Sequence, residues 1–191
     1  KIFEDLNITI ASGSKIFIQG ESGVGKSTFT RIVNDKFQLL DGSFYITPNA
    51  NIITVTANDM LFNQSIYDNF RFLKQDITDD EIINACKQMQ IHDFILGLKE
   101  QYNTVIGNQG IKLSGGQSQR LALARMMVFS MDVLILDEAT NSLDAVTEAT
   151  VLKEIFEKNS DKTIIFISHK VHNNIEFDKM YKVTDYKVCE V

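Results

Sequence analysis

Gly20-Glu21-Ser22-Gly23-Val24-Gly25-Lys26-Ser27-Thr28 matches the pattern G-x-x-x-x-G-K-[ST], a glycine-rich loop that cradles phosphate when a strand runs into it and a helix leads out. Both flanks are present: Lys15-Ile16-Phe17-Ile18-Gln19 reads as a short buried strand, and Ser27 to Val33 as a helix. Gly20, Gly23 and Gly25 let the backbone turn so that successive N–H groups point at one anion. The helix start behind them adds roughly half a positive charge. Lys26 reaches the outer phosphates as a point charge, and the Ser27 hydroxyl is placed to ligate the magnesium ion that accompanies them.

With 191 residues and 44% hydrophobic content the chain can bury one good core, or two lobes sharing one, without disulfides. Cys86 and Cys189 lie far apart with no metal-site spacing, which fits a reducing compartment. A net charge of −6 argues against a sequence-independent grip on nucleic acid. Apolar runs such as Val133-Leu134-Ile135-Leu136 are far shorter than the ~18 residues of a membrane span. No signal-peptide pattern is present. Both ends lie in strand patterns, so an excised domain is expected.

The apolar alternation of Ile2, Leu6, Ile8 and Ile10, closed by Ser12-Gly13-Ser14, predicts a β-hairpin leading into the loop's strand. Beyond the first helix, Asp41-Gly42 and Pro48-Asn49 read as turns around a short strand Ser43 to Thr47, and Ile52 to Thr56 as a buried strand. From Asn58 to Gly110 the pattern is helical. Thr78-Asp79-Asp80-Glu81 is a capping box opening one helix, and Ile91 to Leu98 gives a second. Strands return at Asp132 to Leu136 and Thr163 to Ser168, around a helix from Ala145 to Lys158. Met180 to Val183 and Lys187 to Val191 predict a closing hairpin around Thr184-Asp185-Tyr186. The fold class is α/β: a P-loop NTPase core with a mostly parallel sheet, an antiparallel β edge and an inserted α-helical subdomain. The expected organisation is one domain over 1–191, with 1–57 and 111–191 as catalytic core and 58–110 as the helical subdomain.

Two further stretches carry chemistry. Val133 to Leu136 ends in Asp137-Glu138, and in an open parallel sheet ligands gather at the carboxyl ends of strands. Asp137 is placed to hold magnesium, and Glu138 to polarise the attacking water as general base. Leu113-Ser114-Gly115-Gly116-Gln117 opens a helix running to Phe129, and Ser114 with two glycines leaves its N-terminus bare for an anion.

The order of these motifs resembles the ATP-binding cassette family: Gly20 to Thr28, Leu113 to Gln117, Leu136 to Glu138, Ser142-Leu143-Asp144, then His169. The resemblance covers nearly the whole chain. It implies ATP and Mg2+ as ligands and a partner domain of the same kind packed head to tail. Ser114, Gly115, Gly116 and Gln117 would then cover an ATP held by the partner's phosphate loop. Ser142-Leu143-Asp144 resembles the D-loop at that seam, and His169 the switch histidine that contacts the γ-phosphate. His92 and His172 read as ordinary, partly solvated helix residues.

Some positions depart from the family pattern. A glutamine usually follows the second core strand, where Ala57 stands here; Asn58, one place later, offers a shorter amide, and Gln64 lies too far along. The segment from Thr28 to Val55 is shorter than usual. Leu61 to Asn69 and Thr104 to Gly110 resemble exporter segments, the latter with Asn108 where an acid is common. The aromatic that stacks on adenine lies upstream of Ile2 in the family. The resemblance therefore implies an exporter's ATPase domain at the cytoplasmic face of a membrane, its transmembrane part fused upstream or on a separate chain, and no nucleic-acid partner. Alternatives are a soluble cassette of DNA repair or translation, and a degenerate cassette that binds ATP only to regulate.

Overall fold

The computed structural model describes residues 3, 6–21, 23–34, 39–57, 59, 61–170, 172, 175–184 and 187–191. The chain forms two compact units: Lys1–Thr56, Met131–Glu138 and Asn159–Val191 make one, and Ala57–Ser130 with Ala139–Lys158 the other. The expected helical stretch 58–110 falls inside the second unit, which also takes in 111–130 and 139–158.

The first unit is built on a six-stranded sheet of β1 (Lys15–Gly20), β2 (Ile52–Thr56), β3 (Val133–Asp137), β4 (Thr163–Ser168), β5 (Lys179–Thr184) and β6 (Lys187–Glu190), in the order β2-β3-β4-β1-β5-β6. Among the described strand pairs, β5/β6 is antiparallel and the other four are parallel. This is the mostly parallel sheet with an antiparallel edge that the sequence predicts. Strands covered on both faces read as unbroken apolar runs, and Leu134, Ile135, Leu136 and Ile164 to Ile167 are all buried. Ile16, Ile18, Ile135, Ile165, Ile167, Tyr181 and Val183 pack with Phe29 of α1 (Lys26–Val33). Each such side chain contributes on the order of 2 kcal/mol. Phe17 stacks on Phe166, with ring centroids 5.8 Å apart.

Two predicted strands do not form. Residues 6–11 are not part of a strand, although Leu6, Ile8 and Ile10 pack against the core. Ser12-Gly13 does turn, with Gly13 at φ 81°. Alternation specifies which side chains face inward; it does not supply a neighbouring strand. Residues 43–47 likewise form no strand and are mostly exposed, while the turns on either side are present. The Asp185-Tyr186 turn and Ile2 lie outside the described residues.

The second unit is helical: α2 (Ile66–Arg71), α3 (Asp79–Gln88), α4 (His92–Leu96), α5 (Gly115–Met126) and α6 (Ala145–Lys158), with a 3-10 turn at Gln101–Asn103. Phe70, Ile82, Met89, Ile95, Leu121 and Leu123 are fully buried. Cys86 is buried among them, which pushes its thiol up to about 12 and leaves it unreactive. Asn69 is also fully buried; its Nδ2 donates to the Phe62 and Ser65 carbonyls, and its Oδ1 accepts from the Phe62 N–H at 2.8 Å. Ile66 N–H donates to Thr104 O, Ile106 N–H to Gln64 O, and Asn108 N–H to Asn63 Oδ1. The two exporter-like segments, far apart in sequence, are thus one hydrogen-bonded platform.

Candidate functional site

In the first unit three adjacent parallel strands end together. β1 and β4 pair Gln19 with Ser168, and β3 and β4 pair Asp137 with Ile167. The residues that follow, Gly20, Glu138 and His169, are therefore gathered at one edge of the sheet. A Cβ on Gly20 would sit 2.9 Å from the Val183 carbonyl oxygen, so only glycine fits there. Gly25 caps α1 at φ 108°, a conformation that a side chain rarely tolerates. Gly23 lies in the same loop at φ 86°.

Lys26 is 4% exposed. Its Nζ donates to Gly20 O at 2.7 Å and Glu21 O at 2.6 Å, and pairs with Glu138 Oε1 at 3.1 Å. A buried ammonium persists only when ringed by acceptors, and three oxygens supply that here. Val24 packs against the core, Ser27 is exposed and Thr28 half-buried. Ser22 lies outside the described residues. Glu138 sits at φ 54°, a left-handed conformation that costs a non-glycine residue roughly 1–2 kcal/mol and whose usual home is a functional turn. Its N–H donates to Ile167 O.

Asp137 is 6% exposed. Burial pushes its carboxyl above the usual range, against the pull of the Thr30 and Ser27 hydroxyls and of Lys26, while Glu138 adds to the rise. Its buried Oδ1 has no hydrogen-bond partner. An unsatisfied carboxylate oxygen beside a serine hydroxyl is an oxygen-only donor set suited to a hard cation, so Ser27 and Asp137 fit magnesium. Among the described residues no group of three or more His, Cys, Asp or Glu could hold a metal.

His169 is exposed just beyond β4. The turn it occupies is shaped by Ser168, whose Oγ accepts from the Lys170 N–H and lies 3.3 Å from His172 Nε2. His172 is not a helix residue, contrary to the sequence reading; its ring meets Phe166 edge-on at 4.8 Å. Aromatic packing holds it. His92 does begin α4, with Nδ1 2.8 Å from the Tyr102 hydroxyl.

The second unit carries the other half of the motif set. α5 starts at Gly115 rather than Gln117, because Ser114 and Gln117 form a capping box: Ser114 Oγ accepts from the Gln117 N–H, and Gln117 Oε1 from the Ser114 N–H at 2.8 Å. Gln117 is thereby committed to the cap. Cβ atoms on Gly115 and Gly116 would stand 3.2 and 3.0 Å from Ser142 oxygens, so the glycines allow the Ser142 loop to close against the helix start. Ser114 to Gln117, with Ser142, Leu143 and Asp144, line a cleft of about 410 Å³, and Arg120 and Thr147 complete it. The loop is pinned from beneath by two residues that the sequence did not single out. Buried Gln119 accepts from the Ser142 N–H at 2.8 Å, and buried Glu148 from the Thr140 hydroxyl at 2.6 Å. Buried polar side chains inside helices were the only available signal. Ala57 is half-buried in the turn after β2; Asn58 lies outside the described residues.

A family model described as ABC transporter matches residues 3–141. The chain belongs to the ABC transporter family. The alpha-hemolysin translocation ATP-binding protein HlyB of Escherichia coli is 34% identical over 200 residues, covering 99% of this chain and 28% of HlyB. The mitochondrial iron-sulfur clusters transporter ABCB7 of Oryzias latipes is 31% identical, covering 100% of this chain and 27% of that protein. A solved structure, that of a bacterial Atm1-family ABC exporter with ATP bound, superposes with a TM-score of 0.91 at 31% identity, over 99% of this chain and 35% of that one. The chain is an ABC transporter ATP-binding domain of exporter type and spans about a third or less of the length of these relatives. The reading as a soluble cassette of repair or translation is not favoured. Among the described residues no helix is long and apolar enough to cross a membrane.

Proposed function

We propose that this domain hydrolyses ATP to drive export, at the cytoplasmic face of a membrane, alongside a transmembrane part and a second ATP-binding domain. The observation that carries the reading is the junction of Lys26 with Glu138 at the shared strand edge, 3.1 Å apart. Without nucleotide, Glu138 is the counter-ion of Lys26. Phosphates entering the loop would offer Lys26 a more highly charged set of acceptors, and Glu138 would be released to act on water. The water oxygen then bonds to the γ-phosphorus, its proton passes to Glu138, and the bond to the ADP oxygen breaks. Lys26 and the loop N–H groups from Gly20 to Thr28 stabilise the leaving charge. His169 would contact the γ-phosphate and orient the water. Magnesium, held by Ser27 and Asp137, would neutralise charge on the phosphate oxygens when bound. On this reading the Ser114 to Gln117 helix start, with its partial positive charge, faces the phosphate held by the partner domain. The core would comprise 1–57 and 111–191, and 58–110 the helical subdomain.

Turnover of Glu138→Gln tests the proposal. A general base contributes ~10²–10⁴-fold, so the variant is expected to bind ATP and lose nearly all hydrolysis. Rates equal to those of the unsubstituted protein would remove the base from Glu138, and an unsubstituted protein that binds ATP without turnover would favour the regulatory reading.

A further inference from the structure

Asp137 Oδ1 has a companion. Thr30 is 4% exposed, on α1 one turn beyond Ser27, and its Oγ1 is also buried without a hydrogen-bond partner. Residues three apart on a helix share a face, so Ser27 and Thr30 present their hydroxyls on the same side. The Thr30 hydroxyl is close enough to Asp137 to be the main influence opposing the rise in its carboxyl. Thr30 is also firmly held: Asn34 donates to its carbonyl through both backbone N–H, at 3.1 Å, and Nδ2, at 2.9 Å. The same Nδ2 donates to Thr54 Oγ1 of β2 at 3.0 Å. Leaving two buried oxygens without a hydrogen-bond partner is costly. One water donating to both would remove that cost.

We propose that Thr30 is a positioning residue of the magnesium site, its hydroxyl and Asp137 Oδ1 together accepting the two protons of one water of the hydrated ion. This rests on the reading of Ser27 and Asp137 as metal-holding residues. Magnesium gives up its waters reluctantly, so partners of those waters set metal affinity much as direct ligands do; losing such a partner typically costs about 10–100-fold.

The test is binding of a fluorescent ATP analogue to the protein across free Mg2+ concentrations, with a parallel titration in EDTA. Thr30→Val keeps the shape and removes the hydroxyl. It is expected to raise the Mg2+ concentration for half-maximal effect about tenfold, leave metal-free nucleotide affinity unchanged, and be rescued by Thr30→Ser. An unchanged Mg2+ midpoint in Thr30→Val would overturn the proposal, leaving the two oxygens to an ordered water with no metal. An equal loss of affinity in EDTA would also overturn it, showing a packing defect. Ser27→Ala and Asp137→Asn serve as controls: if neither shifts the midpoint, the metal-site reading itself fails and the Thr30 assignment falls with it. If they shift it and Thr30→Val does not, the assignment alone fails.

Discussion

Lys26 carries a full positive charge at 4% exposure, and its three oxygen partners include one that is itself a catalytic candidate. On the proposed reading, nucleotide binding would exchange the Glu138 carboxylate at Lys26 for phosphate. Lys26→Met removes the acceptor's counter-charge and strands two carbonyls, Gly20 O and Glu21 O. Calorimetric titration with ADP should show binding at least about tenfold weaker, since a charge-assisted hydrogen bond is worth about 1.5–3 kcal/mol. Lys26→Arg should not restore it, because a planar fork does not fit a cage made for a point charge. At this scale the sequence was legible wherever chemistry is tied to a local motif. The phosphate loop and Asp137-Glu138 each announce themselves by neighbours in the chain. Thr30, Gln119 and Glu148 did not, because what makes each of them informative is a buried polar atom facing residues remote in sequence.

Elements were legible where both faces of a strand or one stripe of a helix are apolar. β4 and α6 run over the residues expected, and β1 and β3 differ by a residue at their ends. The strands expected over 6–10 and 43–47 failed because pairing partners are a property of the sheet, not of the segment. Capping was read correctly at α3, where Thr78 Oγ1 accepts from the Glu81 N–H while Glu81 accepts from the Thr78 N–H at 2.8 Å. These bonds from Thr78, with help from Lys74, hold the Glu81 carboxyl down to about 2, against an ordinary 4.5. A depressed carboxylate stabilises the fold fully above the unfolded value and loses that benefit as pH falls through the folded one. Urea midpoints of the protein and of Glu81→Gln should therefore differ at pH 7. The gap should close as pH falls from about 4.5 toward 2. A gap that stays constant over that window would deny the carboxylate its capping role.

At the scale of the molecule, on the proposed reading each unit would hold part of a phosphate-binding set: the first the loop, Asp137 and Glu138, the second the bare start of α5. A helix N-terminus that caps itself and leaves two glycines beside an open cleft has no internal use for its partial charge, which supports a ligand brought by another domain. On the proposed head-to-tail reading, the net charge of −6 on this chain works against two copies meeting, so a phosphate held between them would have to supply the attraction through the α5 amides. Ser114→Asp separates these effects. Aspartate caps a helix as well as serine does, so α5 and the thermal midpoint should be kept, while a negative charge now faces the incoming γ-phosphate. In a Glu138→Gln background, ATP is expected to shift the protein toward a dimer in sedimentation velocity, and adding Ser114→Asp should abolish that shift with nucleotide still bound to the monomer's own loop. Raising salt should strengthen the dimer by screening the mutual repulsion of the two chains, over a Debye length of about 8 Å at physiological ionic strength. A double variant that still dimerises with ATP would place the α5 N-terminus away from the phosphate and require a different partner surface.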